Sequence, residues 1–419
     1  MKKLVALMVA AVMLIALCAT ASAATTVTIW HTYTDDQQAA LQAFADEFNA
    51  MQDEYFVDVQ SQAYSGFTDS VYQAVANGVG PNIIIHYAST AAEYVKDGLV
   101  LDYTPYVFDE EIGMADVYNS LPDSIKTEAT GFEDGGMHIL PATITGPIVF
   151  YNKTIYEELG LEVPTTWEQL GENAKAIYEA KGIAGFGVDS KTDMLQPIFM
   201  ETGAEYIDVE AKECLLKTDA NVAWLDWYGQ NVQAGYFAHN PQTGDYFSGD
   251  FNAGLVATYI GSCAGEPYIV VPTDDNGNPI FEYGMAPMPS TIDVSWYPAW
   301  DRGPIVFNKS EEENRGAYLF VKYFLSPEVN TRWEIAMNAL SPYGTTQENE
   351  AYQAFVAELP GSLAAVQANI GCVGLLPTVT GSNDVRAAVE AAAINVAGGM
   401  PAEEAFDILI NDANAGLQQ

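Results

Sequence analysis

Apolar residues recur along this chain in two rhythms, one of about two residues and one of three to four, alternating as they do in layered α/β domains. Val27-Thr28-Ile29-Trp30 is a short β-rich run, followed by the polar His31-Thr32-Tyr33-Thr34. Thr34 or Asp35 can cap the next segment, where Ala39, Leu41, Phe44, Ala45 and Phe48 fall at helical spacing. Phe56-Val57-Asp58-Val59 reads as a strand, and Thr68 to Asn77 as a helix closed by Gly78–Pro81. Asn82-Ile83-Ile84-Ile85-His86 is a continuous apolar run, the pattern of a parallel strand covered on both faces.

A second unit begins near His138-Ile139-Leu140-Pro141. Ile148-Val149-Phe150-Tyr151 predicts a strand, and Asn152-Lys153 leads into a helix over Ile155–Leu159. Thr165 or Thr166 caps an amphipathic helix over Trp167–Tyr178. Gly182–Val188 is Gly-rich and strand-like, Asn221–Val232 is helical, and Phe251–Ile260 runs from helix to strand before Gly261-Ser262. Pro287, Pro289, Pro298 and Pro304 punctuate 284–305, which reads as a crossing between lobes with Trp300-Asp301-Arg302-Gly303 as a turn. Arg315–Leu325, Glu328–Met337, Asp384–Ala397 and Ala402–Leu417 are amphipathic helices. The chain has no internal repeats, which argues against a structural surface-layer or adhesion protein.

Its 419 residues suit two domains. With 49% apolar and 17% charged residues the composition packs, so a disordered acidic protein is excluded. The 56 acidic residues outnumber 16 Lys and Arg, giving a net charge of −40 that repels phosphate backbones and anionic lipid, so neither nucleic acid nor a membrane surface is an expected partner. Met1-Lys2-Lys3 precedes an apolar run from Leu4 to Leu17, shorter than the roughly 20 residues a spanning helix needs, and Ala21-Ser22-Ala23 supplies small residues for a signal peptidase. This predicts a signal peptide over 1–23, cleaved after Ala23, and a periplasmic or extracellular protein. Lipidation at Cys18 is the alternative, opposed by Leu17 where a small residue is required. In the oxidising compartment that follows, Cys214, Cys263 and Cys372 are odd in number and form no CxxC, so at most one bridge can form and buried thiols are expected.

Several of these segments are also motifs in a fixed order: the Ile29-Trp30-His31-Thr32 opening, Phe44-(x)3-Phe48-Asn49, and Pro141-(x)5-Pro147-Ile148-Val149-Phe150-Tyr151-Asn152-Lys153. Thr166-Trp167-Glu168-Gln169-Leu170, the Ala317–Leu325 helix and Pro401-Ala402-Glu403-Glu404-Ala405 follow. Together they resemble the extracellular solute-binding proteins of ABC importers (family 1), the group that includes maltose-type and glycerol-phosphate-type binding proteins. The resemblance implies a two-lobed periplasmic-binding-protein-like fold of type II, each lobe a mixed sheet flanked by helices and joined by a strand hinge. Lobe one would be 24–137 plus 299–336, and lobe two 138–298 plus 337–419. It implies a monomer that closes on a small solute, needs no cofactor, and delivers its cargo to the permease subunits of an ABC importer.

In open α/β sheets ligands sit at the carboxyl ends of strands. Those positions hold Trp30, His31 and Tyr33 after the first strand, His86 and Tyr87 after the Ile83–Ile85 run, and Thr143 and Thr145 before the second-lobe strand. Trp300, Asp301 and Arg302 suit a polyhydroxylated ring, the indole covering its C–H face while the acid and the guanidinium take hydroxyls. The resemblance adds Ser262, where relatives place a hydroxyl contact, and Arg386, where glycerol-phosphate binders place an arginine. It also shows departures from the glycerol-phosphate pattern: Phe67 replaces a tyrosine, Ala88 an acidic residue and Leu340 a tyrosine. An uncharged sugar or short oligosaccharide therefore fits better, with glycerol 3-phosphate or a glycerophosphodiester as the alternative.

The rival class is a secreted glycoside hydrolase, which needs two carboxylates about 5–9.5 Å apart. No acidic pair stands in a recognisable catalytic context, and Gly261-Ser262-Cys263-Ala264-Gly265 lacks the nucleophile-elbow spacing. His31, His86, His138 and His239 are scattered without metal-ligand spacing, and no GxxxxGK[ST] occurs. The expectation is a binding protein with no catalytic residue and no metal.

Overall fold

The apolar run that dominates the first unit becomes a central strand, and the rest of the lobe is layered around it. In chain order the strands are β1 (Thr25–His31), β2 (Tyr55–Ser61), β3 (Ile83–Tyr87), β4 (Thr143–Thr145), β5 (Pro147–Asn152), β6 (Gly187–Val188), β7 (Ile207–Asp208), β8 (Glu213–Cys214), β9 (Thr258–Ser262), β10 (Tyr283–Ala286), β11 (Tyr297–Pro298), β12 (Trp300–Val306) and β13 (Val373–Gly374). The computed structural model describes residues 24–290, 297–358, 361–369, 373–374 and 379–418. The expected signal peptide with its cleavage site after Ala23, and Cys18 and Cys372, lie outside the described residues.

One sheet has the order β2-β1-β3-β12-β4, with β1 parallel to β2 and β3, and β12 antiparallel to β3 and β4. The other has the order β10-β5-β9-β6, with β5 antiparallel to both neighbours and β6 parallel to β9. Both are mixed sheets covered by helices on two faces, and the period-two pleat divides their side chains between two cores. In β3, Ile83 and Ile85 join a core with Leu41, Phe44 and Trp333, while Ile84 joins one with Phe67, Ala91 and Tyr94. In β5, Val149 packs with Trp167, Leu195 and Phe406, while Ile148 and Phe150 pack with Phe251 and Leu363. Each buried Ile or Phe of this kind favours folding by about 1.5–3 kcal/mol, which is why the runs outweigh their loops.

The predicted helices form close to their expected bounds: Asp35–Met51, Phe67–Ala76, Trp167–Lys181, Asp219–Gln233, Glu311–Phe324, Pro327–Met337, Ser382–Ala397 and Ala402–Leu417. Of the two possible caps, Thr166 takes the Gln169 N–H at 3.2 Å. Thr34 occupies the N-cap position of its helix but makes no side-chain cap bond. One element differs. Trp300-Asp301-Arg302-Gly303 is not a turn but the start of β12, where Trp300 faces Thr145 and Arg302 pairs with both Tyr87 and Thr143. The prolines mislead because the ladder to β4 ends at Arg302, two residues before Pro304, so the missing N–H leaves no bond of that ladder unmade. Cys214 and Cys263 are buried free thiols.

At Gly303 the neighbouring backbone comes so close that a Cβ would lie 2.2 Å from the Leu140 carbonyl oxygen. Gly303→Ala should therefore destabilise the fold by about 1–3 kcal/mol, read as a lower unfolding midpoint in denaturant. A wild-type midpoint would show that β12 does not run against Leu140 in this way.

Candidate functional site

In the first sheet β1 stands between β2 and β3, so the chain leaves β1 toward one side and returns on the other, and the loops at the carboxyl ends of these strands diverge. A cavity of about 1000 Å³ opens there. Its wall takes Gln37 from beyond β1, Tyr64 and Thr68 from beyond β2, and His86 to Thr90 from the end of β3. The opposite wall comes from the carboxyl ends of the parallel pair in the second sheet: Asp189 and Ser190 after β6, and Ser262, Ala264 and Gly265 at the end of β9. The two sheets thus present equivalent ends to one space. Beside it, Lys212 Nζ lies 3.5 Å from Glu133 Oε1, and the Gly381 N–H donates to Glu93 Oε1 at 3.4 Å.

Of the residues the sequence nominated, Tyr87, Thr143, Thr145, Ser262, Trp300, Asp301, Arg302 and Arg386 line this cavity, as does His86. Trp30, His31, Tyr33 and Phe67 do not form its wall. The pleat of β1 puts His31 on the same face as Val27 and Ile29, where it is buried and stacks on Tyr33 at 5.9 Å, and Tyr33 meets Trp333 edge-on at 5.2 Å. Trp30 faces the other way and donates Nε1–H to Gln60 at 2.9 Å. Phe67 belongs to the core behind His86, stacked on its ring at 6.1 Å.

The charged groups of the wall have distinct environments. Arg386, on the helix Ser382–Ala397, donates to Asp193 Oδ1 at 2.8 Å and Gln196 Oε1 at 2.9 Å, so it is a half-buried ion pair rather than a free surface charge. Asp193 is itself held by the Ser190 cap of the helix Lys191–Glu201. Arg302 lies 4.8 Å over the Tyr87 ring and 6.0 Å from that of Tyr33. Burial, then the Arg302 charge, lower His86 to about 4, so its ring is neutral near pH 7 and its Nδ1 contacts Thr90 Oγ1 at 2.8 Å. Glu128 and Asp301 lie against each other, and burial raises both carboxyls. Asp189 accepts the Phe247 N–H at 2.7 Å, yet burial pushes it up to about 6.

Sequence reasoning missed Tyr64, Tyr246 and Tyr268, three exposed rings on the cavity wall, because a lone aromatic in a polar loop carries no periodic signal. It also missed Glu128, Asp189 and Asp193, which no local motif marks. Among the described residues no group of three or more His, Cys, Asp or Glu side chains is placed to hold a metal ion. Chemically, the wall offers aromatic faces, hydroxyls, carboxyls and, in Arg302, a guanidinium with no carboxylate partner among the described residues, a set suited to holding a polar solute by stacking and hydrogen bonds.

The model of the family described as bacterial extracellular solute-binding protein matches residues 31–331. The sn-glycerol-3-phosphate-binding periplasmic protein UgpB of Yersinia pseudotuberculosis serotype I is 21% identical over 382 residues, covering 83% of this chain and 81% of the relative. That of Agrobacterium fabrum is 29% identical over 185 residues, 41% of this chain and 39% of the relative. Among solved structures, the cyclic alpha-maltosyl-1,6-maltose binding protein of Arthrobacter globiformis has a TM-score of 0.78 at 20% identity, covering 94% of this chain and 99% of that one. The sugar-binding protein MalE of Xanthomonas citri has a TM-score of 0.77 at 17% identity, over 94% and 98%. These likenesses establish the two-lobed fold.

The raised Asp189 carboxyl has a definite sign in stability. Its folded value of about 6 lies above the ordinary 3.8, so the folded state binds the extra proton, and this contribution is complete below about pH 3.8 and lost as pH rises through 6. The melting temperature of the protein relative to its Asp189→Asn variant should therefore fall between pH 4 and pH 7. A constant difference would show that Asp189 is not desolvated.

Proposed function

The chain belongs to the bacterial extracellular solute-binding proteins, and from that premise we propose that it captures a polyhydroxylated solute, a sugar or oligosaccharide, outside the cytoplasm and hands it to an ABC permease. The lobes proposed to close on it are 24–137 plus 299–336 and 138–298 plus 337–419, moving about the strands that cross between the sheets. The observation that carries this reading is the cavity itself, where Trp300, Tyr64, Tyr246 and Tyr268 stand among Thr145, Ser262 and Asn383. Aromatic faces suit the C–H faces of sugar rings, and the polar groups suit their hydroxyls. The structural neighbours whose titles name maltose-type sugars support it in the same direction.

Binding without bond cleavage is part of the proposal. The two acids that stand together on the wall, Glu128 and Asp301, lie directly against each other, whereas glycoside hydrolysis needs carboxyls about 5–9.5 Å apart. Glycerol 3-phosphate, named by the curated relatives, is the second reading. Against it, Phe67 and Leu340 are buried in the cores and Ala88 offers no polar atom, so three contacts of the glycerol-phosphate pattern are gone.

A thermal-shift screen over sugars, oligosaccharides, polyols and glycerol phosphates tests the reading, since a ligand at 100 times its Kd adds about 2.7 kcal/mol to stability. At least one saccharide should raise the midpoint, and Trp300→Ala should weaken that ligand by about tenfold or more through loss of the stacked ring. If no saccharide or polyol moves the midpoint of the folded protein, the function is wrong. Release of shorter products from a carbohydrate would favour the hydrolase.

A further inference from the structure

We infer that Arg302 receives an acid group of the solute, so that the cargo is a carboxylate-bearing saccharide, a uronate, rather than an uncharged sugar. This rests on the saccharide reading and narrows it. The most deeply buried cation of the described residues and the second arginine of the wall are both held by carboxylates. Lys191, 6% exposed, sits 3.0 Å from Glu390, and Arg386 sits 2.8 Å from Asp193. Of the two arginines on the wall, Arg302 differs: among the described residues no carboxylate pairs with it, and its Nε is buried with no hydrogen-bond partner. In a chain with 56 acidic residues, this wall-lining guanidinium is bordered instead by the Tyr87, Tyr33 and Tyr64 phenols. A cation taken out of water without an anion is costly, and a guanidinium offers its donors as a fork that fits a carboxylate.

The rest of the wall is compatible with an anion. Glu128 and Asp301 lie against each other and burial shifts both toward the protonated form, while Asp189 is raised only to about 6. The other arginine, Arg386, is already neutralised by Asp193. Arg302 is thus the arginine of the wall without a carboxylate partner among the described residues, and its planar fork matches the geometry of a carboxylate. Thr143, opposite Arg302 across the β12–β4 ladder, and Trp300, two residues before it, place a hydroxyl and an indole within the same neighbourhood, as a ring bearing the acid requires.

Calorimetric titration of the full chain tests this with digalacturonate, trigalacturonate and glucuronate-bearing xylo-oligosaccharides, each against its own methyl ester, together with the neutral parents and glycerol 3-phosphate. The ester keeps the ring and removes the charge. At least one acid should bind about tenfold to a hundredfold tighter than its ester, and Arg302→Gln should bring the two within about threefold. Should Arg302→Gln fail to fold by circular dichroism, the wild-type acid-to-ester ratio and Arg302→Lys, which keeps the charge but loses the fork, decide instead. Equal binding of acid and ester, or an acid preference that survives in Arg302→Gln, overturns the inference. Binding of neutral sugars alone also overturns it while leaving the proposed function standing. Binding of glycerol 3-phosphate with no saccharide overturns both.

Discussion

Only Gly146 separates β4, at the edge of one sheet, from β5 of the other, and there is no room for a side chain between them. A Cβ at this position would fall 2.0 Å from the Tyr297 hydroxyl, which donates to the Pro147 carbonyl at 3.0 Å. Tyr297 lies just ahead of β12, so two crossings of the chain are pressed together at one point. From there the ladders radiate: Trp300 opposite Thr145, Arg302 opposite Thr143, and Pro147 opposite Ser262. The Cys263 N–H donates to the Gly146 carbonyl at 3.0 Å and ties the end of β9 to the same junction. Side chains contributed by four strands therefore keep a fixed relation at the base of the cleft, while the exposed tyrosines Tyr64, Tyr246 and Tyr268 lie outside the strands. A side chain at 146 would push the crossings apart and alter every one of these registers at once.

Desolvation sets the electrostatics of the cavity. Burial disfavours the charged form of acids and arginines alike, raising the one pKa and lowering the other, but their ordinary values lie at very different distances from neutral pH. A carboxyl starting near 4 is carried toward neutrality by a modest environmental change, as at Asp189, whereas a guanidinium stays charged. A wall containing both types thus loses negative charge more readily than positive. His86 follows the same rule: buried beside Arg302, it remains a neutral ring, and its stacking on Phe67 holds the end of β3 without adding charge.

The sequence was most legible where burial is symmetric. Ile83-Ile84-Ile85 could be recognised as a strand covered on both faces, and Ile148 to Tyr151 likewise, because these residues enter cores on both sides of their sheets. It was least legible where a local feature has a distant cause. Trp300 to Gly303 looked like a turn because the prolines around it were visible, while the strands that pair with it, β3 and β4, are more than 150 residues away in the chain. Arg386 depends on Asp193, 193 residues distant. Trp30, His31 and Tyr33 were placed correctly at the carboxyl end of β1, yet proximity to a strand end did not reveal which face each side chain takes. Strand parity does reveal it for His31, since it shares a face with Val27 and Ile29. The exposed tyrosines of the wall were hidden for a simpler reason: they pack against nothing that imposes a pattern on the chain.

The net charge of −40 and the free arginine of the cleft belong to different length scales. Surface acids repel an approaching anion over the Debye length, about 8 Å at physiological ionic strength, so they act on encounter and weaken with added salt. Arg302 is itself largely withdrawn from solvent, so its short-range contacts are poorly screened and outweigh many distant carboxylates. Affinity for an anionic solute would then reside in slow release rather than fast capture, since steering is unfavourable while the bound contacts are short-ranged. Slow release in turn requires that both walls touch the cargo at once. This is the physical reason for building the site from the facing carboxyl ends of two sheets instead of one.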